Sequence, residues 1–294
     1  MRTSILWLAL CALCVSGCTT QLPVLAVRLE NDRYRLDRKC RLVEKEIKGK
    51  EVTVNVCTVT RVPTHAPDSN PIRPAQIQSV IDTTNVAWSR YGYEFSFDQN
   101  ADYVTWHSSG LNRTPPQGND PEWEDYRRLG NAIALLLNPQ QDKAVVYFRG
   151  EGGSGWSWGP DTTNYVSMPL IRPELYLAHE MGHYFGLVHT FNFDNCSAVT
   201  LANTDNDLDG MLPAVTEDDV RDTASDPTTT CVSAPFCLNS TVTINGVAFT
   251  PPLHNVMSYY GCAPLEFSSD QLNAIKYNLR NGRSGMPILK PLFP

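Results

Sequence analysis

Beyond its first eighteen residues the sequence has no apolar run of the roughly 20 residues that a helix needs to cross a bilayer. Its 24 Lys and Arg are scattered among 31 Asp and Glu, for a net charge of −7. That excludes both the basic footprint of a nucleic-acid binder and a polybasic membrane patch. After the leader no two cysteines stand in C-x-x-C spacing, which removes the paired thiolates of a zinc knuckle. The stretch Gly152-Gly153-Ser154-Gly155-Trp156-Ser157-Trp158 is glycine-rich but lacks the lysine and spacing of a phosphate loop. It reads as a loop whose tryptophans either belong to the core or line a cleft. Histidine is scarce, six in 294 residues, yet three fall in one eleven-residue window.

What is present begins with a targeting segment. Arg2 supplies a positive start, Ile5 to Val15 an apolar run too short to span, and Val15-Ser16-Gly17-Cys18 a small-residue cleavage site. That ending resembles the bacterial lipobox, which implies cleavage before Cys18 and a lipid on its sulfur. With Thr19 next, it points to an outer-membrane lipoprotein, facing the periplasm or the cell surface; an ordinary secretory signal is the alternative. The expected membrane contact is this anchor alone. Six cysteines then remain, Cys40, Cys57, Cys196, Cys231, Cys237 and Cys262, an even number that suits three disulfides in an exported chain. Two lie early and four late, so at least one bridge is expected within each group. Cys40 could instead cap a metal in a latent enzyme, but Cys57 is the better partner.

The 42% hydrophobic content is ample for one large domain with a small appendage. Residues 1–17 read as leader. Residues 18–73 read as a small subdomain or pro-segment and linker, with a strand through Val52, Val54 and Val56 and a run of Pro63, Pro67, Pro71 and Pro74. Residues 74–294 read as the main domain. There Ile77, Val80, Ile81, Thr84, Trp88 and Tyr91 line one helix face, and a strand is expected at 93–97. A second helix follows Pro121 with Leu129, Ile133, Leu136 and Leu137 as its apolar stripe. The buried-looking strand Ala144 to Phe148 and a short strand at 164–168 come next. Helices alternating with strands imply a mixed sheet with helices packed on it.

The chemistry lies in Leu177-Ala178-His179-Glu180-Met181-Gly182-His183-Tyr184-Phe185-Gly186-Leu187-Val188-His189-Thr190. On a helix, residues four apart share a face, so His179 and His183 can present two imidazoles to one metal, with Glu180 beside them. In a continued helix, His189 would lie about 9 Å farther along the axis and about 240° around it. The chain must therefore leave the helix, and Gly186 is where it can do so. Three histidines with an open fourth position suit zinc, which lowers the pKa of bound water from about 15.7 toward 7, and Glu180 can then act as general base.

Downstream, Asn255-Val256-Met257-Ser258-Tyr259-Tyr260 resembles the Met-turn of metzincins. His189-Thr190-Phe191, Cys196, Asp219-Val220-Arg221-Asp222-Thr223, Cys262 and Phe267-Ser268-Ser269-Asp270-Gln271 together resemble the pappalysin family of metzincins over about residues 74–281. Ala224 departs from the family's usual proline, and the loop between helix and Met-turn is this chain's own.

The resemblance implies an α+β zincin. Its upper half would hold a mixed β-sheet and the active-site helix, above an irregular disulfide-bonded lower half with a C-terminal helix. It implies zinc on His179, His183 and His189, catalysis by Glu180, and Tyr259 as the partner of the oxyanion; a surface turn is the alternative for that tyrosine. It also implies pairing of Cys196 with Cys237 and Cys231 with Cys262, and a protein or peptide substrate extended along an edge strand, with 164–168 as candidate.

Asp205, Asp207 and Asp209 before Gly210 have the alternating carboxylates of a calcium loop, but Thr216 stands where an EF-hand needs glutamate. A looser calcium site and a solvated acidic loop both fit. Ser268 and Gln271 form a capping box ahead of a helix carrying Leu272, Ile275 and Leu279. The expected activity is zinc-dependent endopeptidase. A lipid-anchored binding protein on the same scaffold, or a zinc amidase acting on something other than protein, is the alternative.

Overall fold

A strand with an unbroken apolar run must be covered on both faces, and the centre of this protein's sheet is built from two such runs, Val24–Val27 and Ala144–Phe148. The computed structural model describes residues 19–30, 34–47, 50–63, 72–116, 120–150, 153–160, 162–170, 173, 176–191, 222–224, 226, 237, 241–244 and 246–281. In chain order come β1 (Thr20–Glu30), β2 (Tyr34–Ile47), β3 (Lys50–Pro63), α1 (Pro74–Trp88), β4 (Tyr93–Ser96), β5 (Tyr103–His107), α2 (Trp123–Leu137) and β6 (Ala144–Arg149). There follow β7 (Tyr165–Pro169), α3 (Leu177–Tyr184), β8 (Val242–Ile244), β9 (Val247–Phe249) and α4 (Ser269–Asn281).

The main sheet is parallel and runs β4-β1-β6-β7, with β5 continuing the β4 side of β1. Successive residues of β1 and β6 feed opposite cores. Leu22, Val24 and Ala26 join Val146 and Phe148 under α1, α3 and α4, whereas Leu25, Val27 and Leu29 join Val145 and Tyr147 under α2. Pro23, which cannot donate to a ladder, sits opposite Ser96 just before pairing with β6 begins at Val24.

This placement corrects the boundary expected at residue 74. Residues 20–30, assigned from sequence to an N-terminal appendage, form the central strand of the sheet that carries the site. Of the stretch before residue 74, β2 and β3 stand apart, as a hairpin paired only to itself within the sheets. Its register sets Cys40 opposite Cys57.

Helix α1 begins at Pro74, suited to a first helical turn, and buries Ile77, Val80, Ile81, Thr84, Ala87 and Trp88, essentially the expected face. Helix α2 differs. Its buried residues are Tyr126, Gly130, Ile133 and Ala134, while Leu129 and Leu136 are exposed. Gly130 explains the rotation: a Cβ there would overlap the Tyr165 ring, so only a glycine lets the helix lie so close to β7.

The expected edge strand also changes. Tyr165–Pro169 is buried at every position, and its outer side is taken by Trp156, whose N–H and C=O both bond Ser167 in an antiparallel bridge. The outermost segment there is the one around Trp156. Trp156 packs against Trp123 and Tyr165 (ring centroids 4.7 and 5.8 Å), while Trp158 is exposed.

Candidate metal centre

Helix α3 buries Leu177, Ala178, Met181 and Tyr184 against α1 and the sheet, which turns His179 and His183 outward. The Trp88 indole N–H reaches the Ala178 carbonyl. The helix ends as the sequence requires. Gly186 adopts φ +92°, its N–H bonds the His183 carbonyl at 2.8 Å, and the Leu187 N–H bonds Gly182 at 3.0 Å. This left-handed cap reverses the chain and returns His189 to the first two histidines. The side-chain amide of Asn278 on α4 holds the turn from outside by donating to the Phe185 carbonyl at 2.9 Å.

The nitrogens of His179, His183 and His189 lie within 4.8 Å of one another, and no other group of three such side chains occurs among the described residues. Two tautomers follow from the partners. His179 Nδ1 donates to the Val256 carbonyl and His183 Nδ1 to the Leu187 carbonyl, both at 2.7 Å, because a carbonyl can only accept. The Nε2 of His179 and of His183 each then carries a lone pair, and that of His183 stands 3.1 Å from His189 Nε2. Tetrahedral bonds of about 2.05 Å to one ion would separate two such nitrogens by about 3.3 Å, close to that spacing. The donor set thus fits zinc, with backbone carbonyls orienting two of its imidazoles.

Burial holds all three histidines neutral, the state that binds metal. It lowers His179 to about 3, helped by the neighbouring His183 charge, and His183 to about 4. His189 falls to about 2, through burial and then the charges of His183 and His179.

Glu180 is 5% exposed, and its Oε2 has no hydrogen-bond partner. Burial raises its pKa to about 8, opposed by the Arg149 guanidinium and the Ser157 backbone N–H. A dication on the adjacent histidines would favour the carboxylate. Gly155 passes directly over this side chain: a Cβ there would stand 2.6 Å from Glu180 Cγ and 2.7 Å from Oε1. Gly155→Ala should therefore displace the carboxyl. On the role expected for Glu180 from the sequence, kcat should fall on the order of tenfold to a hundredfold with zinc content unchanged, since small misplacements of a reacting group carry costs of that size; metal analysis beside peptide turnover checks both.

A pH dependence follows for the metal-free protein. The unfolded imidazoles take up protons near 6.5, but the folded ones only below about 4, so unfolding binds protons in that window and stability drops as pH falls through it. Glu180 acts in the opposite direction, since its folded carboxyl keeps a proton up to about 8 against 4.5 when unfolded. Three histidines outweigh one carboxyl. Near pH 5.5 the net uptake is about two protons, a slope of roughly 2–3 kcal/mol per pH unit. Denaturant titrations of chelator-treated protein between pH 7 and 5 should show this fall; a flat profile would contradict it.

The Met-turn closes the site from below. A Cβ on Gly182 would overlap the Met257 sulfur, so the two elements touch without a gap. Asn255 accepts from the Met257 N–H and exchanges two side-chain bonds with Gln271 of α4. Gln271 also completes the expected capping box with Ser268. Tyr259 is 46% exposed, with its ring 4.9 Å from His189, 5.5 Å from His179 and 4.6 Å from Phe191. Burial and then the Glu180 charge push its pKa up to about 12, so its phenol keeps its proton.

All five site residues expected from sequence therefore meet in one place. Three that bear on the site were not foreseen: Gly155, Arg149 and Asp226. Arg149 is fully buried, donates to Ser167 Oγ and the Ser154 carbonyl, and supplies a positive charge that opposes the rise in the Glu180 pKa. A glycine in a loop and lone charges without a spacing partner leave no periodic mark.

The disulfide order implied by the resemblance needs correction. Cys262 is bonded to Cys237, whose Cα lies 5.5 Å away, rather than to Cys231, which also removes the pairing of Cys237 with Cys196. Cys196, Cys231, the acidic loop Asp205 to Asp209, Thr216 and the leader through Cys18 lie outside the described residues.

A search of curated proteins found no match. The family model described as Pregnancy-associated plasma protein-A matches residues 163–280, from just before β7 through α3 and the Met-turn into α4. Over these residues the chain is similar to the pappalysin-like metalloproteases, which are of the metzincin kind.

Proposed function

We propose that the protein is an exported zinc endopeptidase in which His179, His183 and His189 hold the metal, Glu180 is the general base and Tyr259 steadies the oxyanion. The observation that carries this reading is the convergence of three neutral histidines beside a buried carboxyl one residue from the first. Bound zinc supplies an acidified water, its pKa brought from about 15.7 toward 7, and a Lewis acid for the peptide carbonyl. Glu180 accepts the water's proton as its oxygen joins the carbonyl carbon, then returns that proton to the departing amine. Tyr259, protonated and half-exposed above His179 and His189, donates to the oxygen that gains charge.

Substrate lies extended along residues 153–158, the outermost segment of the sheet. Trp156 directs its own N–H and C=O inward to Ser167, and a peptide adds on the other side by main-chain pairing. The catalytic unit comprises β1 together with residues 72–281, a zincin with an irregular lower half, tied by the Cys237–Cys262 bridge and closed by α4. The segment 1–17 is a leader, and Cys18 carries the lipid that anchors the enzyme.

Protein lacking residues 1–18, incubated with a mixed peptide library with and without a zinc chelator and read by mass spectrometry, tests this. Chelator-sensitive cuts support it. A zinc-loaded protein that cuts nothing points instead to a binding role on the same scaffold.

A further inference from the structure

Asp226 is 1% exposed and belongs to no helix or strand. One of its oxygens, Oδ2, accepts two hydroxyl hydrogen bonds, from Thr190 Oγ1 at 2.6 Å and from Ser258 Oγ at 2.7 Å. Thr190 directly follows His189, and Ser258 stands between Met257 and Tyr259. The Thr190 N–H also meets the Met257 carbonyl, at 3.3 Å.

Neither segment sits on a regular element. Residues 187–191 have left the helix and residues 256–260 are turn and bend beyond the single bridge of Asn255 to Glu266, so no strand ladder sets where His189 and Tyr259 stand. A buried carboxylate is expensive to place unless its hydrogen bonds are satisfied, and hydrogen bonds to a charged acceptor are shorter and stronger than neutral ones.

We propose that Asp226 is a positioning residue, one carboxylate oxygen that clamps the third-histidine segment to the Met-turn and so sets both His189 for the metal and Tyr259 above it. The inference rests on the zinc-site reading above and assigns that site a residue outside its ligands and catalytic groups.

The test separates the two arms of the clamp. Thr190→Val should weaken zinc binding roughly tenfold, as loss of a partner behind a ligand does, measured by competition with a fluorescent chelator. Ser258→Ala should lower kcat of the zinc-saturated enzyme roughly tenfold with little change in KM, because it loosens a group that acts in the transition state. Asp226→Ala should do both, and adding either hydroxyl substitution to it should change little more, the signature of one shared unit. If the alanine variant does not fold, Asp226→Asn, nearly the same shape without the charge, should still weaken zinc binding and lower kcat.

Asp226 variants that lose thermal stability while zinc affinity and kcat stay at parent values would overturn the proposal, as would full additivity of the pairs. Zinc affinity is read without turnover. Should the parent bind zinc and cleave nothing, the zinc arm and the cobalt(II) spectrum of the substituted protein still decide the clamp. A parent that binds no zinc overturns both readings.

Discussion

Glu180→Gln should leave a folded, zinc-loaded protein with about 10²- to 10⁴-fold less peptide turnover, the usual contribution of a positioned general base. Glutamine keeps the size of a side chain that is 5% exposed and lies under Gly155, so packing of α3 is retained. The histidines are held by the Val256 and Leu187 carbonyls, not by Glu180, so zinc content should match the parent. The amide oxygen can still accept from the Ser157 N–H, and the amide NH2 takes the place of an Oε2 that has no partner, so stability before metal is added should stay near that of the parent. Turnover by peptide assay, zinc by metal analysis and stability by melting check the three parts. Parent-level turnover would remove Glu180 from the chemistry.

Gly186→Ala is the second large effect, and it acts through the backbone. At φ +92° an alanine is strained, and its Cβ would overlap the Asn278 amide that holds the Phe185 carbonyl. Strain of about 1–2 kcal/mol and crowding of about 1–3 kcal/mol together suggest a loss of roughly 2–5 kcal/mol, or a fall in Tm of roughly 5–15 °C. The turn also delivers His189, so zinc affinity should fall with stability. A control at Gly246 is informative: its φ is +79°, but a Cβ there meets nothing within 4 Å, so Gly246→Ala should carry the strain cost alone and spare zinc. Equal melting temperatures and equal zinc affinities for the two variants would show that the Asn278 contact is irrelevant.

Where function imposes its own spacing, the sequence was readable. His179, Glu180 and His183 follow the helical period, and Gly186 marks where the period must fail, so the cluster could be placed without coordinates. Helix α1 and strand β6 were equally plain, the first through its 3.6-residue stripe and the second as an unbroken apolar run. Strand β1 has the same kind of run, Leu22 to Val27, yet it lies next to an apolar leader and shows none of the alternation that marks a half-exposed strand.

Other features depend on contacts that leave no periodic trace. The face of α2 was misplaced because Gly130, which contributes no apolar surface, decides it through its approach to Tyr165. The outer segment around Trp156 is a single bridge rather than a strand with a pattern. Disulfide partners follow proximity, and the spacing of Cys231, Cys237 and Cys262 does not reveal which pair meets.

The position of β1 has a consequence for how the chain comes into being. The strand made first pairs with Ala144–Phe148, about 120 residues later, and with Tyr103–His107, so the sheet cannot close until most of the upper half has been delivered. Such distant pairing is slow to find, and until then Leu22 to Leu29 wait uncovered. It also limits maturation by cutting. A protease could sever the β2–β3 hairpin and leave the sheet whole, but any cut that carried away residues 20–30 would remove the strand on which β4, β5 and β6 all hang.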